Sequence, residues 1–282
     1  MTYNKMFFPI GGGSELRERI HGALLIGKYF QAHLEILKAE AKPSQIMKID
    51  QGLSPAILKE LNAMVKDRLK DDLTQNETFL KEEAKKLDIT LSSRRIKGLP
   101  TAEIITDSGY RSKIIEQESK YCDVVVVASP PKGKMTATFE AAITKSGKPA
   151  LMFPRKMKTF SAKKIVIGWN NSTEVARAVS LAIPLMQKAD QVHIITSKEY
   201  TKDIKNITKL QAFLACHDIE TTYEIVKTTL IPGEALVKNA KKGKFDLIIA
   251  GAFGHKGFKE LMFGGTTKYL LKNTHIPVFM SH

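Results

Sequence analysis

The chain has 282 residues, 43% hydrophobic and 26% charged, a composition typical of a globular, soluble protein with one large domain or two ordinary ones. No apolar run approaches the roughly 18 residues of a membrane span, and the apolar run in "MTYNKMFFPIGGG" is too short for the core of a signal peptide, so a cytoplasmic location and no membrane contact are expected. The net charge of +15, from 44 Lys and Arg against 29 Asp and Glu, admits nucleic acid as a partner. Its lysines, such as Lys66, Lys70, Lys81, Lys85 and Lys86, instead alternate with acids along a helical face. That is the pattern of a solvated surface, and nucleic acid is not expected to bind.

In chain order, "MFFPIGGGSE" from Met6 is an apolar run into glycines, and "AHLEILKAE" from Ala32 is a second apolar run. Ser54–Leu87 opens with Ser-Pro, a helix start. Ile57, Leu61, Met64, Leu69, Leu73, Leu80, Ala84 and Leu87 then keep helical spacing. This predicts a long amphipathic helix packed on a sheet, with an outer end available to a partner. "CDVVVVASPPKG" from Cys122 and "GKPALMF" from Gly147 are two more apolar runs. Beyond a polar, basic join, "RKMKTFSA" at Arg155–Ala162, strands are predicted at Ile165–Trp169, Val192–Thr196, Thr222–Val226, Leu247–Ala250 and Pro277–Met280. Helices are predicted from Ser172, with Val175, Val179, Ala182 and Ile183 inward, and at Ile204–Cys216, Gly233–Lys242 and Thr266–Asn273. Cys122 and Cys216 lie near helix ends with no partner at ligand spacing, and read as small buried or half-buried side chains.

Four segments recur in the same order. "MFFPIGGGSE" matches "KIVIGWNNSTE", "AHLEILKAE" matches "QVHIITSKE", "CDVVVVASPPKG" matches "FDLIIAGAFGHKG", and "GKPALMF" matches "THIPVFM". The chain therefore reads as two copies of one domain, residues 1–157 with a long helical insertion and residues 158–282. Alternating strands and helices make each copy an α/β domain with a doubly wound parallel sheet. The closing strands, Pro149–Phe153 and Pro277–Ser281, are short and apolar and would otherwise leave open sheet edges. They are expected to pair, so that the chain mimics a dimer with approximate two-fold symmetry.

Ligands of doubly wound sheets bind beyond the carboxyl ends of the strands. The loop after Leu247–Ala250 lies there and holds Gly251, Gly254, Gly257, Gly264 and Gly265 before a helix that begins near Thr266 and Thr267. Glycines let backbone N–H groups approach a ligand, and a helix N-terminus offers free donors and a positive dipole end. The glycines alone suit a phosphate loop and a tight structural connection equally.

The order Gly251, two residues, Gly254, nine residues, Gly264, then a small-residue helix start resembles the ATP-binding motif of the universal stress protein family. "IVIGWNNSTEVARAVSLAIPLM" is similar to that family's first strand and helix, and "HIPVFMSH" to its closing strand. The resemblance covers the second copy nearly end to end, and the whole resembles a tandem universal stress protein. It departs from the pattern at Asn170, where ATP-binding members usually carry Asp, at Asn171 in place of Gly, and at Gly265 in place of Ser or Thr.

The resemblance implies a stress-response protein that binds an adenine nucleotide, ATP with or without Mg²⁺, in its second copy. It places the adenosine over Trp169, Asn170 and Asn171, with the backbone of Ser197 at the adenine edge. Gly251 and Gly254 would flank the ribose and α-phosphate, and Gly264, Gly265, Thr266 and Thr267 the outer phosphates. His255 and Lys256 are either charges turned to phosphate or solvent-facing loop side chains, and Trp169 is either an aromatic lid or a core residue. In the first copy, Ala128 and Pro131 replace Gly251 and Gly254, and Gly12 replaces Asn170. Pro130 and Pro131 lack N–H donors, so nucleotide is expected in the second copy only. There is no Walker-type motif and no G-x-G-x-x-G, and no general base or nucleophile stands out near the loop. That favours a nucleotide-responsive binding or signalling module over an enzyme, with protein partners unidentified and a homodimer of tandem chains possible. The alternative is a protein–protein scaffold of the non-nucleotide branch of the family, which Asn170 and Gly265 favour.

Overall fold

In the computed structural model, residues 3–10, 14–40, 55–200, 204–227, 232–254 and 265–282 are described. The first half runs β1 (Lys5–Pro9), α1 (Leu16–Phe30), β2 (His33–Glu40), α2 (Pro55–Lys86), β3 (Thr90–Leu91), β4 (Thr101–Ser108), α3 (Arg111–Glu118), β5 (Val124–Ala128), α4 (Ala137–Thr144) and β6 (Ala150–Phe153). The second half runs β7 (Lys164–Gly168), α5 (Thr173–Leu181), α6 (Ile183–Met186), β8 (Gln191–Ser197), α7 (Lys205–Ala215), β9 (Thr221–Val226), α8 (Pro232–Lys242), β10 (Leu247–Gly251), α9 (Gly265–Asn273) and β11 (Val278–Ser281). No helix among the described residues is long and apolar enough to cross a membrane.

Among the described residues one 11-stranded sheet forms, in the order β3-β4-β2-β1-β5-β6-β11-β10-β7-β8-β9. Reading inward from each edge, β4-β2-β1-β5-β6 repeats as β9-β8-β7-β10-β11, the doubly wound order twice over. The repeated segments leave the first-half counterpart of Thr222–Val226 unassigned; it is β4. Neighbouring strands are parallel except at the centre, where β6 and β11 are antiparallel, with Leu151 opposite Phe279 and Ala150 opposite Met280. The closing strands therefore pair as expected. An antiparallel pair of equivalent strands is what a two-fold axis through the seam requires, and the chain packs as an intrachain pseudo-dimer.

Alternation along each strand assigns its residues to two layers. Met6 and Phe8 of β1, and Ile165 and Ile167 of β7, join a core with α1, α5 and α7. Phe7 and Val166 join the opposite core, with α3, α4, α8 and α9.

The long helix departs from the expectation in part. Leu80 and Ala84 pack into the first core, and Glu83 reaches back to α1. The beginning of α2 instead stands clear of the sheet, with Ile57 and Met64 exposed at 46% and 62%. Its acids and lysines are spread round the helix, so only its last turns have an apolar stripe wide enough to bury. Cys122 is buried and its thiol is pushed up to about 12, chiefly by that burial. Cys216 is exposed, against expectation, because it falls at the end of α7 beyond the buried Leu214.

Candidate functional site

The carboxyl ends of β7, β8 and β10 bring together Trp169, Asn170, Asn171, Ser197, Gly251 and Gly254. Beyond β7 the chain turns sharply into α5. Asn171 has φ 59°, a left-handed conformation that glycine adopts without strain and asparagine tolerates. The Asn170 side-chain oxygen accepts a hydrogen bond from the Ser172 N–H at 3.2 Å, and the Ser172 hydroxyl accepts one from the Val175 N–H at 3.3 Å. The first cap leaves the Asn170 amide nitrogen available for a ligand; the second satisfies an otherwise orphan donor of α5.

Gly251 answers a packing need. A Cβ there would lie 2.8 Å from the Val175 backbone nitrogen and 3.0 Å from the Glu174 Cβ, so only glycine lets β10 meet the first turn of α5 this closely. At Gly254 a Cβ would lie 2.5 Å from Glu174 Oε2, which places a carboxylate directly against the loop. Burial by itself would raise the Glu174 pKa. Hydrogen bonds from its own backbone N–H and from the hydroxyls of Ser172 and Thr173, with the charge of His282, outweigh that and hold it below the usual range. The helix N-terminus is thus already met by an internal anion.

Hydrogen bonds tie the loop to α9 and β11. Phe253, at φ 57°, donates its N–H to the Thr267 hydroxyl at 3.3 Å. Thr267 is only 6% exposed, so its oxygen serves the fold and only its O–H remains to donate elsewhere. Ala252 donates to the Ser281 carbonyl at 2.9 Å, and its own carbonyl lies 3.1 Å from His282 Nδ1. Gly265 opens α9, and nothing lies within 4 Å of where its Cβ would stand. Thr266 is half-buried beside it, where α8 packs so closely that a Cβ on Gly233 would meet the Thr266 carbonyl at 2.9 Å. His255, Lys256 and Gly264 lie outside the described residues, as does Gly12.

Two buried polar atoms at these strand ends have no hydrogen-bond partner among the described residues: Trp169 Nε1 and Ser197 Oγ. The Trp169 ring packs partly into the first core, and its backbone N–H donates to Ile195 at 2.8 Å, so the indole is held rigidly by the sheet. The Ser197 carbonyl accepts from Tyr200 at 3.1 Å. The sequence points to the Ser197 backbone and gives no role to its hydroxyl. The available signal is a serine ending a strand whose centre, Ile194–Ile195, is apolar.

The first half closes the equivalent region with its own residues. Arg155 extends from the join, pairs with Glu15 at 2.6 Å, and donates to the carbonyls of Ser14 and, at 3.3 Å, Ser129. Lys156 adds a 3.1 Å contact to Glu15. The guanidinium therefore ties the start of α1 to the loop after β5. In that loop Gly133, at φ 66°, leaves no room for a side chain, since a Cβ would meet the Lys272 Cα of α9 at 2.7 Å.

The chain is similar in sequence and fold to known proteins. The family model described as "Universal stress protein family" matches residues 161–282. The universal stress protein Slr1230 of Synechocystis is 24% identical over 242 residues, which cover 82% of this chain and 80% of that protein. MJ0531, a universal stress protein of Methanocaldococcus jannaschii, is 34% identical over 50 residues, or 18% of this chain and 29% of that one. A universal stress protein structure from Archaeoglobus fulgidus matches the fold across both halves, with a TM-score of 0.71 at 15% identity, 99% of this chain and 98% of that one being covered. Residues 161–282 therefore match the universal stress protein family, and the first half repeats the same strand order.

Proposed function

We propose that the second half binds one adenine nucleotide, ATP foremost, and that the chain is a nucleotide-responsive binding module of the stress response with at most slow ATP hydrolysis. The observation that carries this is the pair of orphaned buried polar atoms, Trp169 Nε1 and Ser197 Oγ, at the strand ends where adenosine is expected. Buried polar groups without partners are rare, and a ligand offering an acceptor to the indole and a hydrogen-bonding edge to the hydroxyl would satisfy both. Asn170 retains a donor for the ribose or base. The first turn of α9 supplies N–H groups with no partner inside the helix, and the space beside Gly265 gives phosphate access to them. Glu174 carries the opposite charge to that helix end, and its carboxylate would be a candidate to hold Mg²⁺, which would offset the phosphate charge. The first half binds none, because Arg155 bridges its strand-end loops and Pro130 and Pro131 offer no donors.

Glu174 beside Gly254 and the engaged Thr267 hydroxyl favour the second reading, a protein–protein scaffold with a vestigial loop. Titration with ATP, ADP and AMP, with and without Mg²⁺, separates the two. One nucleotide per chain is expected. Gly265→Asp places a carboxylate in open space at a helix start, where the fold tolerates it and a phosphate does not. It should weaken binding by about tenfold or more at unchanged thermal stability. Gly254→Asp discriminates less well, since its Cβ would displace Glu174. Absence of binding in the unmodified protein leaves the scaffold reading, and undiminished binding in Gly265→Asp would overturn the placement of phosphate at the start of α9.

A further inference from the structure

At the other end of the first-half strands, His33 and Glu35 of β2 and Glu103 of β4 point to the same face of the sheet. The parallel register sets His33 beside Thr101 and Glu35 beside Glu103, and the two-residue period keeps all four on one side. His33 Nε2 lies 3.3 Å from Glu103 Oε1 and 4.0 Å from Glu35 Oε1, and one ligand atom from each residue falls within 4.8 Å of the other two. Among the described residues no other group of three His, Cys, Asp or Glu meets that condition. His33 is buried at 4% exposure, while the two glutamates are half-buried and open to solvent.

We propose that these three residues bind a divalent transition-metal cation, zinc foremost. Donors about 2.0–2.1 Å from a tetrahedral zinc stand about 3.3 Å apart. The His33–Glu103 separation already has that value, and Glu35 needs a shift well within side-chain reach. His33 Nδ1 lies 2.9 Å from the Thr101 hydroxyl, so with Nδ1 protonated it donates there and turns the Nε2 lone pair toward the carboxylates. This is the outer-shell arrangement that orients a ligating histidine. The solvent-open side leaves a fourth position for water. One imidazole and two carboxylates suit a borderline cation such as zinc. Lys5 supplies the competing charge, with its Nζ 2.6 Å from Glu35 Oε1. The site therefore binds metal by exchanging an internal ammonium for the cation, and the metal would tie the first residues of β2 to those of β4.

The test is a zinc titration of tag-free, chelator-stripped protein against a chromophoric chelator, with cobalt as a spectroscopic substitute. One zinc per chain and the visible bands of tetrahedral cobalt are expected. Glu103→Gln should weaken zinc at least about tenfold, and His33→Gln should abolish binding. Lys5→Met should tighten it severalfold by releasing Glu35, a gain that a cluster serving only as an internal ion pair would not show. Should His33→Gln fail to fold, the two variants at partly exposed positions carry the test. No zinc bound by the unmodified protein, or a zinc affinity that neither Glu103→Gln nor Lys5→Met changes, overturns the proposal.

Discussion

At the carboxyl ends of its strands the first half places a guanidinium, and the second half a carboxylate. Arg155 bridges Glu15 and the carbonyls of Ser14 and Ser129, joining the loop after β1 to the loop after β5. Arg19, buried at the start of α1, feels the crowding. Its own burial, then the charge of Arg155, lower its pKa to about 10. In the second half, Glu174 lies in the first turn of α5 and rests against Gly254, while two buried polar atoms nearby have no partner among the described residues. The same strand order therefore supports opposite outcomes. A crevice bridged by the chain's own cation is part of the core's support, whereas the second half's buried polar atoms without a partner among the described residues are the ground for the proposed ligand site. What separates them is a handful of loop residues, since both halves build the same strand order.

Exchanging the strand-end residues between halves should have the largest effect. Gly251→Ala introduces the residue that stands at the matching place in the first half, Ala128, yet its Cβ would lie 2.8 Å from the Val175 backbone. Overpacking against backbone should cost about 1–3 kcal/mol in urea unfolding. The reciprocal Ala128→Gly should cost under about 1 kcal/mol. Equal costs would mean that the two halves hold their first helices at the same distance, and would remove one leg of the comparison.

Arg155→Met should come next, at about 1–2 kcal/mol, since it strips charge-assisted bonds from Glu15 and two carbonyls. Nucleotide stoichiometry should remain one per chain, because Pro130 and Pro131 still lack donors. A second nucleotide bound by this variant would show that the arginine alone had closed the first half.

The smallest effect concerns the α2 insertion, which the second half lacks. Burial would raise the Glu83 pKa, but hydrogen bonds from Lys86, Arg17 and His21 pull it down to about 2. A carboxyl depressed in the folded state contributes stability above its unfolded pKa of about 4.3, and loses it as pH falls toward the folded value. Glu83→Gln should therefore cost about 1 kcal/mol at neutral pH. Relative to the unmodified protein that deficit should shrink between about pH 4.3 and 2, as monitored by circular dichroism during acid unfolding. A deficit that does not change with pH would assign Glu83 a packing role instead of an ionic one.

Much of this architecture is carried by local sequence. Alternating apolar residues and the recurrence of four segments specify two parallel sheets, and short apolar closing strands specify that they join, because an apolar edge has few other ways to be buried. The turn at Asn170–Ser172 is legible for the same reason, as its hydrogen bonds reach only two or three residues along the chain. Contacts between distant segments were not legible. Periodicity names the face a side chain occupies and leaves its neighbour across the fold open. That Gly251 serves the approach of α5, that the Thr267 hydroxyl is taken by Phe253, and that Glu174 lies against Gly254 all depend on how β10, α5 and α9 pack. Arg155 and Glu15 are 140 residues apart, and no local pattern pairs a basic join with the cap of α1. His33, Glu35 and Glu103 likewise meet only through the β2–β4 register. The chain's local chemistry chose its strands, helices and seam. The tertiary structure decided which charges face which crevice, because a charge in a loop is positioned by whatever the packed core brings within a few ångströms of it.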